Sequence, residues 1–446
     1  MLYTHRLVHT MVRNACRPVT VTVAVVAALL LVGQAVWAGE PAVRLLKTIP
    51  IPGTHANTTN GKLYSYDISF VDEQTQTYYL ADRSNVAVDV VDAKTAELSG
   101  QISVSPPFAG VVTTADCMAK GGTTCSGPNG VVAASPWLFV TDGGSRVVNI
   151  DLRTGQIAPD GDVVTANHDP NRADELAYAP GPGLLLVINN ADTPPFGTFI
   201  SVNKMTGALT VGQRITFTDA TNGAEQPVWN PDDGRFYLSI PSISGTTMAP
   251  GPIGAVYRID PNTATFEIAA EIEECGPAGL TLGPNQELLV GCNAVYGVDG
   301  KVWDATKDIT ANPREVIIDA TTGRIDATVF GVGSGDEVWF NRGDGHYYVT
   351  GSGSPLAPRP TTAQGASVLG VIDAFSDSLD QLVPTFNVPA VGTGNNSTEH
   401  PAGTAHSVAA NAENNLVFVP LGANNVFPDC VTGCIAVYGR SDPDKD

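Results

Sequence analysis

A short turn sequence recurs six times along the chain and constrains the fold more than any other feature. In each copy an Asp or Asn is followed three residues later by Thr or Ser, and successive copies lie 52 to 59 residues apart. The turns begin at Asp92, Asp151, Asn203, Asp260, Asp319 and Asp373. Asp and Asn favour tight turns because their side chains bond to nearby backbone N–H groups. A period of this length indicates repeated supersecondary units.

Each repeat has the pattern of four short strands. Alternating or β-branched runs such as Val86–Val91 precede the turns, and two further runs lie upstream of each. The 46 Gly and 32 Pro residues favour many turns over long helices. The innermost runs begin near residues 66, 129, 174, 225, 278, 336 and 406. Seven such units predict an all-β fold, a seven-bladed β-propeller in one domain over residues 39–446.

The two ends of the predicted ring complete each other. The seventh unit ends after its third strand at Tyr438, while an unpaired strand at about 42–51 precedes the first unit. Pairing these segments would close the ring and remove the open sheet edges. A parallel α/β sheet is the alternative, but the chain lacks amphipathic stretches of helical length between the strands.

Two stretches carry a resemblance to a known repeat. Tyr79–Asp92 and Leu138–Asp151 resemble the YVTN-type repeat of exported seven-bladed propellers, in which a strand ends in a polar turn and the next ends in Asp. The resemblance covers most of residues 42–438 and implies a propeller fold and export. Propellers of this kind include binding proteins, assembly factors and metal-dependent hydrolases, so the fold does not decide the function.

The first 38 residues have the features of a signal peptide. They contain Arg6, Arg13 and Arg17 without an acid, an apolar run over 19–32, and small residues before position 38. The apolar run is shorter than the ~20 residues of a membrane-spanning helix, which makes an uncleaved anchor the less favoured alternative. We therefore expect a periplasmic or secreted protein with no membrane span after cleavage.

The cysteines that follow the predicted signal peptide also agree with export. They form three close pairs: Cys117 and Cys125, Cys275 and Cys292, and Cys430 and Cys434. An even number in local pairs predicts three disulfides in an oxidising compartment. Their spacings match neither zinc knuckles nor a haem attachment motif.

The charge balance narrows the class of ligand. The chain has 45 acidic and 24 basic residues, a net charge of -21. Such a chain is a poor partner for nucleic acid or an anionic membrane surface, whereas cationic or neutral ligands suit it. The sequence also lacks a nucleophile elbow, a phosphate-binding loop and a zinc-peptidase helix, so we expect no nucleotide. We expect a monomer.

Polar residues recur in register at the starts of the predicted inner strands. Only 15% of the chain is charged, so their alignment with the repeat points to a shared site. Inner strands of a propeller start around the central channel at one face, where we expect a ligand site. The residues are Asp67, Asn129, Asp174, Glu175, Glu225, Gln226, Asp336, Glu337 and His406.

Three uses of this ring are open. As a binding site it would hold a small ligand or a divalent cation, Ca²⁺ being favoured by the carboxylate and amide oxygens. The alternative is a metal-dependent hydrolase or lyase, similar to propeller lactonases, with His406 or Asp67 as the catalytic base. The third is strand capping around a water-filled channel. The predicted metal ligands are Glu175, Glu225, Glu337 and Asn129. The predicted ligand contacts are Asp174, Asp336, Gln226, Asn190, His168 and Arg172.

Long insertions follow the second strands of units 4 to 7. They cover residues 241–252, 293–313, 351–365 and 421–433. Loops of this length are often functional, so we expect them to contact a small molecule or a protein partner at the channel face.

Overall fold

The structure described here is a computed structural model. It describes residues 42–302, 313–333, 335–351, 368–385, 406–424 and 427–440. The predicted signal peptide at 1–38 and most of the insertion at 351–365 lie outside the described residues.

The described residues confirm the seven-bladed β-propeller. Seven antiparallel sheets of four strands each, blades 1 to 7, succeed one another along the chain. Strand β1 (Val43–Pro50) precedes blade 1. Blade 1 contains β2 (Ser69–Asp72), β3 (Thr77–Asp82), β4 (Ala87–Asp92) and β5 (Glu97–Ile102), and helix α1 (Thr114–Ala119) follows it. Blade 2 contains β6 (Val131–Ala134), β7 (Trp137–Asp142), β8 (Arg146–Asp151) and β9 (Gln156–Val164). Blade 3 contains β10 (Leu176–Ala179), β11 (Leu184–Asn189), β12 (Phe196–Val202) and β13 (Leu209–Thr216).

The second half of the ring repeats this order. Blade 4 contains β14 (Pro227–Asn230), β15 (Arg235–Ile240), a small hairpin of β16 (Gly245–Thr246) and β17 (Ala249–Pro250), then β18 (Ile253–Asp260) and β19 (Thr265–Glu273). Blade 5 contains β20 (Cys275–Leu282), a 3₁₀ turn (Pro284–Gln286), β21 (Glu287–Val295), β22 (Arg314–Asp319) and β23 (Ile325–Phe330). Blade 6 contains β24 (Val338–Asn341), β25 (His346–Gly351), β26 (Val368–Asp373) and β27 (Ser378–Pro384). Blade 7 contains β28 (Ala409–Asn411), β29 (Leu416–Leu421) and β30 (Cys434–Arg440).

The N-terminal strand closes the ring, as the sequence predicts. β1 pairs antiparallel with β30, from Val43 opposite Arg440 to Pro50 opposite Cys434. It thereby becomes the outer strand of blade 7. Ile49 is only 4% exposed and belongs to an apolar cluster that joins blade 7 to blade 1.

The recurring turns connect the third and fourth strands of blades 1 to 6. In blade 1 the Asp92 carboxylate accepts hydrogen bonds from the N–H groups of Lys94 and Thr95, at 2.8 and 3.0 Å. Asp319 accepts the equivalent two bonds in blade 5. Gly323 follows with a φ of 72°, a conformation that favours glycine.

The core lies between neighbouring blades rather than in the centre of the ring. One apolar cluster packs Leu186 and Phe199 of blade 3 against Phe236 and Leu238 of blade 4. The rings of Phe199 and Phe236 are 6.1 Å apart. Because the blades bury their flat faces against each other, their inner strands surround a central channel.

All three predicted cysteine pairs form disulfides: Cys117 with Cys125, Cys275 with Cys292, and Cys430 with Cys434. The second links the two innermost strands of blade 5, because Cys275 lies in β20 and Cys292 lies in β21. In this pair of strands Pro277 is the residue opposite Cys292. Three disulfides point to an oxidising environment. None of the helices in the described part of the chain has the length and apolar composition of a membrane-spanning segment.

We predict that removing the apolar anchor of β1 destabilises the whole ring. Ile49→Ala should lower the free energy of unfolding by about 2 to 4 kcal/mol, because it leaves a cavity between blades 7 and 1. The measurement is the shift in a chemical denaturation curve. Leu46→Ala in the same strand is the control, because Leu46 is 42% exposed, and its effect should stay within about 0.5 kcal/mol. If the two substitutions lower the free energy of unfolding equally, the buried contact of β1 does not stabilise the closed ring.

Candidate functional site

The starts of the inner strands meet at one end of the channel, around a cavity of about 160 Å³. We call it the acidic cavity. Nine of the twelve predicted site residues line it, so the alignment of the repeats brings distant parts of the chain together. They are Asp67, Arg172, Asp174, Glu175, Asn190, Glu225, Asp336, Glu337 and His406.

Backbone hydrogen bonds beyond the ends of the strands hold these residues in place. In blade 3 the Asp174 N–H donates to the Ile188 carbonyl at 2.8 Å, and the Ile188 N–H donates to the Glu175 carbonyl at 2.9 Å. The Asp67 N–H bonds in the same way to Ala81 in blade 1, at 2.9 Å. The carboxylates therefore stand on the rigid inner pairs of strands.

Each aspartate of the acidic cavity is paired with a cation. Asp67 bonds to Arg83 through one oxygen and lies 2.8 Å from His406 Nε2 through the other. Arg172 Nη2 lies 2.7 Å from an oxygen of Asp174, and Arg172 Nη1 lies 3.5 Å from Asp67. Asp336 Oδ2 lies 2.8 Å from His406 Nδ1. The three aspartates are thus neutralised locally.

His406 lies between two carboxylates, which sets its protonation. Burial lowers the pKa of the imidazole, but Asp336 and Asp67 outweigh burial and raise this pKa well above its ordinary value. Burial raises the pKa of Asp67, whereas Arg83, His406 and Arg172 together hold it well below the usual range. An imidazolium that donates from both nitrogens has no lone pair to accept a proton. The general-base role of His406 or Asp67 stays a prediction, and in this arrangement a carboxylate lies at each nitrogen of His406.

The three glutamates differ from the aspartates in having no cationic partner at bonding distance among the described residues. Glu337 accepts a hydrogen bond from Gln226 Nε2 at 3.2 Å, and Glu225 accepts a long one from Asn190 Nδ2 at 3.5 Å. Glu175 is 6% exposed, and the described residues offer its carboxyl no hydrogen bond. Its carboxyl is therefore free to accept bonds from a ligand.

Burial is the largest influence on the pKa of each glutamate. It raises the pKa of Glu175, Glu225 and Glu337 well above the ordinary value, and neighbouring carboxylates raise it further. For Glu337 the positive charge of His406 partly opposes this rise. Burial likewise raises the pKa of Asp174 to about 6. Burial therefore disfavours the charged form of the three glutamates.

Three predicted site residues lie elsewhere. Asn129 is fully buried, and its amide accepts from Arg83 Nε at 2.9 Å and donates to the Ala173 carbonyl at 2.8 Å, which leaves it committed to the protein. Gln226 lies beneath the acidic cavity and does not line it. His168 is exposed in a turn with a φ of 60° and does not line the cavity.

Sequence reasoning misses two residues that shape the site. Arg83 lies in the turn between β3 and β4 and reaches Asp67 and Asn129. Asn293 of β21 donates to Asp336 Oδ1 at 2.6 Å. Arg83 directly follows β3 and Asn293 lies near the end of β21, so their position in the repeat was the available signal. Residue type alone does not separate them from ordinary turn residues.

No three His, Cys, Asp or Glu side chains of the described ranges are arranged as a metal-binding group. The Ca²⁺ site predicted at Glu175, Glu225, Glu337 and Asn129 stays a prediction.

The long insertions connect second and third strands as expected. Insertion 241–252 contains the β16–β17 hairpin, and the Cys430–Cys434 disulfide lies in and just after insertion 421–433. Residues 303–312 lie outside the described residues. A partner surface on these insertions stays a prediction.

Comparison with known proteins supports the propeller fold and no more specific family or function. No family model matches the chain, and no curated protein matches it. It is similar to a chain in the structure of hydrazine synthase from Kuenenia stuttgartiensis, at 14% identity and a TM-score of 0.57, over 88% of this chain and 99% of that one. It is also similar to a chain in the structure of a mitotic checkpoint complex, at 10% identity and a TM-score of 0.52, over 99% of this chain and 100% of that one. Identities this low show a shared propeller-like fold, and the YVTN-type repeat stays a prediction.

We predict that Glu175→Gln changes the pH dependence of stability. Above the unfolded-state pKa of about 4.3, the folded protein holds a proton that the unfolded chain releases, so stability falls as the pH rises towards the folded pKa. Glutamine cannot ionise, so the variant should match the wild type near pH 4.5 and exceed it at pH 8. The expected gain is on the order of 1 kcal/mol, since each unit of pKa displacement is worth ~1.4 kcal/mol.

The measurement is the unfolding midpoint across this pH range. Glu271→Gln, at an exposed position of β19, is the matched control and should leave the pH profile unchanged. A Glu175→Gln profile parallel to that of the wild type would show that the buried carboxyl carries no such penalty.

Proposed function

We propose that this protein is a binding propeller whose acidic cavity binds a small organic cation. One observation carries the proposal. Six carboxyl groups line a cavity of about 160 Å³. The three aspartates are paired with Arg83, Arg172 and His406, while the three glutamates are paired with no cation among the described residues.

An ammonium or guanidinium group matches what the glutamates lack. Such a group brings positive charge and several N–H donors, and charged hydrogen bonds to carboxylates are among the stronger ones in proteins. Glu175, Glu225 and Glu337 come from blades 3, 4 and 6, so one cation with several donors could contact more than one of them. The net charge of -21 adds a long-range attraction for cations.

Ca²⁺ is the second candidate, because all three glutamates offer hard oxygen ligands. Ca²⁺ takes six to eight oxygens in most sites. The amide oxygen of Gln226, which could add to them, already accepts a hydrogen bond from the Leu280 N–H at 2.5 Å. For this reason the organic cation is the better supported ligand.

Binding without chemistry is also better supported than hydrolysis or elimination. The two side chains that a lactonase-like mechanism would use as a base are His406 and Asp67. Each is hydrogen bonded to the other and neutralised by further partners. A base held in this way gains little by accepting a proton.

The proposal includes an exported location. The three disulfides suit an oxidising compartment, and the signal-peptide pattern of residues 1–38 points the same way. We therefore propose that the protein binds its ligand in the periplasm or outside the cell.

We predict that methylammonium binds to the wild type and that Glu175→Gln/Glu337→Gln weakens this binding. The affinity for methylammonium should fall at least about tenfold, because each charged hydrogen bond contributes ~1.5–3 kcal/mol to binding. Wild-type affinity should rise with pH, up to about tenfold per pH unit for each proton that the ligand displaces. Isothermal titration calorimetry with methylammonium chloride measures both effects.

The same titration with CaCl₂, together with elemental analysis of the purified protein, tests the second candidate. If the wild type contains stoichiometric calcium and the double variant does not, the ligand is Ca²⁺ and not an organic cation. Glu271→Gln controls for the loss of net charge alone. If neither cation binds the wild type, the proposal is wrong and the carboxylates only cap the strands.

A further inference from the structure

A second cavity of about 500 Å³ occupies the central channel next to the acidic cavity. We call it the channel cavity. Ile68 and Glu175 line both cavities, so the two adjoin at the starts of the inner strands. Pro180 and Pro231, which follow the ends of β10 and β14, also line the channel cavity. It therefore extends along the inner strands towards the face opposite the acidic cavity.

Most of the residues that line the channel cavity are apolar, and Ser69, Gln226 and Thr281 are the polar ones besides Glu175. Glu175 is the one carboxyl group among its described lining residues. Aromatic side chains from blades 1, 3, 4 and 6 line it, and all of them are only partly buried. They are Phe70, Tyr178, Trp229, Trp339 and Phe340. Partly exposed aromatic surface around a cavity of this volume is typical of a small-molecule site.

We infer that the channel cavity binds the apolar body of the ligand whose cationic end lies in the acidic cavity. The ligand class is then an amine with an alkyl or aromatic body. This inference rests on the proposed function and adds the chemistry of the uncharged part of the ligand.

The position of Glu175 carries the inference. Glu175 lines both cavities, so an ammonium group bound to its carboxyl is close enough to the channel to direct a substituent into it. The acidic cavity is also much the smaller of the two, at about 160 Å³ against about 500 Å³ for the channel cavity. Within it, Asp67, His406 and Asp336 form a continuous hydrogen-bonded chain. An apolar substituent is therefore better accommodated in the channel than among these charges.

The first test is a chain-length series in the wild-type protein. Methylammonium, butylammonium and octylammonium chlorides are titrated by calorimetry, and 1-octanol serves as the uncharged probe. Affinity should rise by about fourfold per buried methylene, the equivalent of ~0.8 kcal/mol each. Tryptophan fluorescence should respond to the longer amines, because Trp229 and Trp339 line the channel.

The second test separates the two ends of the ligand. Ala134 lines the channel and is partly exposed to it, so Ala134→Phe should fill the channel. This variant should lower the affinity for octylammonium at least about tenfold, the equivalent of two lost methylenes. Its affinity for methylammonium should be unchanged. Glu175→Gln should weaken both amines and leave 1-octanol unchanged. If Ala134→Phe does not fold, Val132→Phe fills the same channel.

The outcomes distinguish the two proposals. Methylammonium binding with no dependence on chain length would overturn the channel inference and leave the proposed function standing. Octylammonium binding that survives both Glu175→Gln and Ala134→Phe would place the apolar site elsewhere and overturn the inference. A wild type that binds no amine of the series would overturn the proposed function and the inference together.

Discussion

The pairing of β1 with β30 is the contact on which the rest of the structure depends. It joins Val43 to Arg440 and Pro50 to Cys434, and so turns a row of blades into a ring. Only in a closed ring do the seven inner strands start around one channel. The buried Ile49 and its apolar cluster hold blade 7 against blade 1, so His406 of blade 7 stands beside Asp67 of blade 1. The site is thus a consequence of closure.

Charge is divided unequally within the acidic cavity. Asp174 and Glu175 are neighbours in the chain, yet Asp174 bonds to Arg172 while Glu175 has no cationic partner among the described residues. The same holds for Asp336, which bonds to His406, and its neighbour Glu337. The shorter aspartates are paired with the protein's own cations, and the longer glutamates line the same cavity without such a partner among the described residues. Burial raises the pKa of these glutamates, so a cation that binds them under the proposed function would displace protons.

The two cavities differ in chemistry although one ring of strands builds both. Residues at the strand starts are carboxylates, and those further along the same strands are apolar or aromatic. An inner strand places successive residues at successive depths of the channel, about 3.3 Å apart. The polarity of the channel therefore changes along its axis, which suits a ligand that is charged at one end.

The features predicted correctly from the sequence are those that depend on local chemistry. Turns opened by Asp92 or Asp319, alternating strands, paired cysteines, the closing strand and the acidic strand starts follow from residue types at short range. Only the tertiary structure decided which carboxylates are neutralised. Arg172 reaches Asp67 from 105 positions away, and His406 reaches it from 339. The tertiary structure also decides that Asn129 bonds to Arg83 and that His168 lies in an exposed turn. Side chains that meet across a channel are selected by distance in space, which residue spacing does not encode.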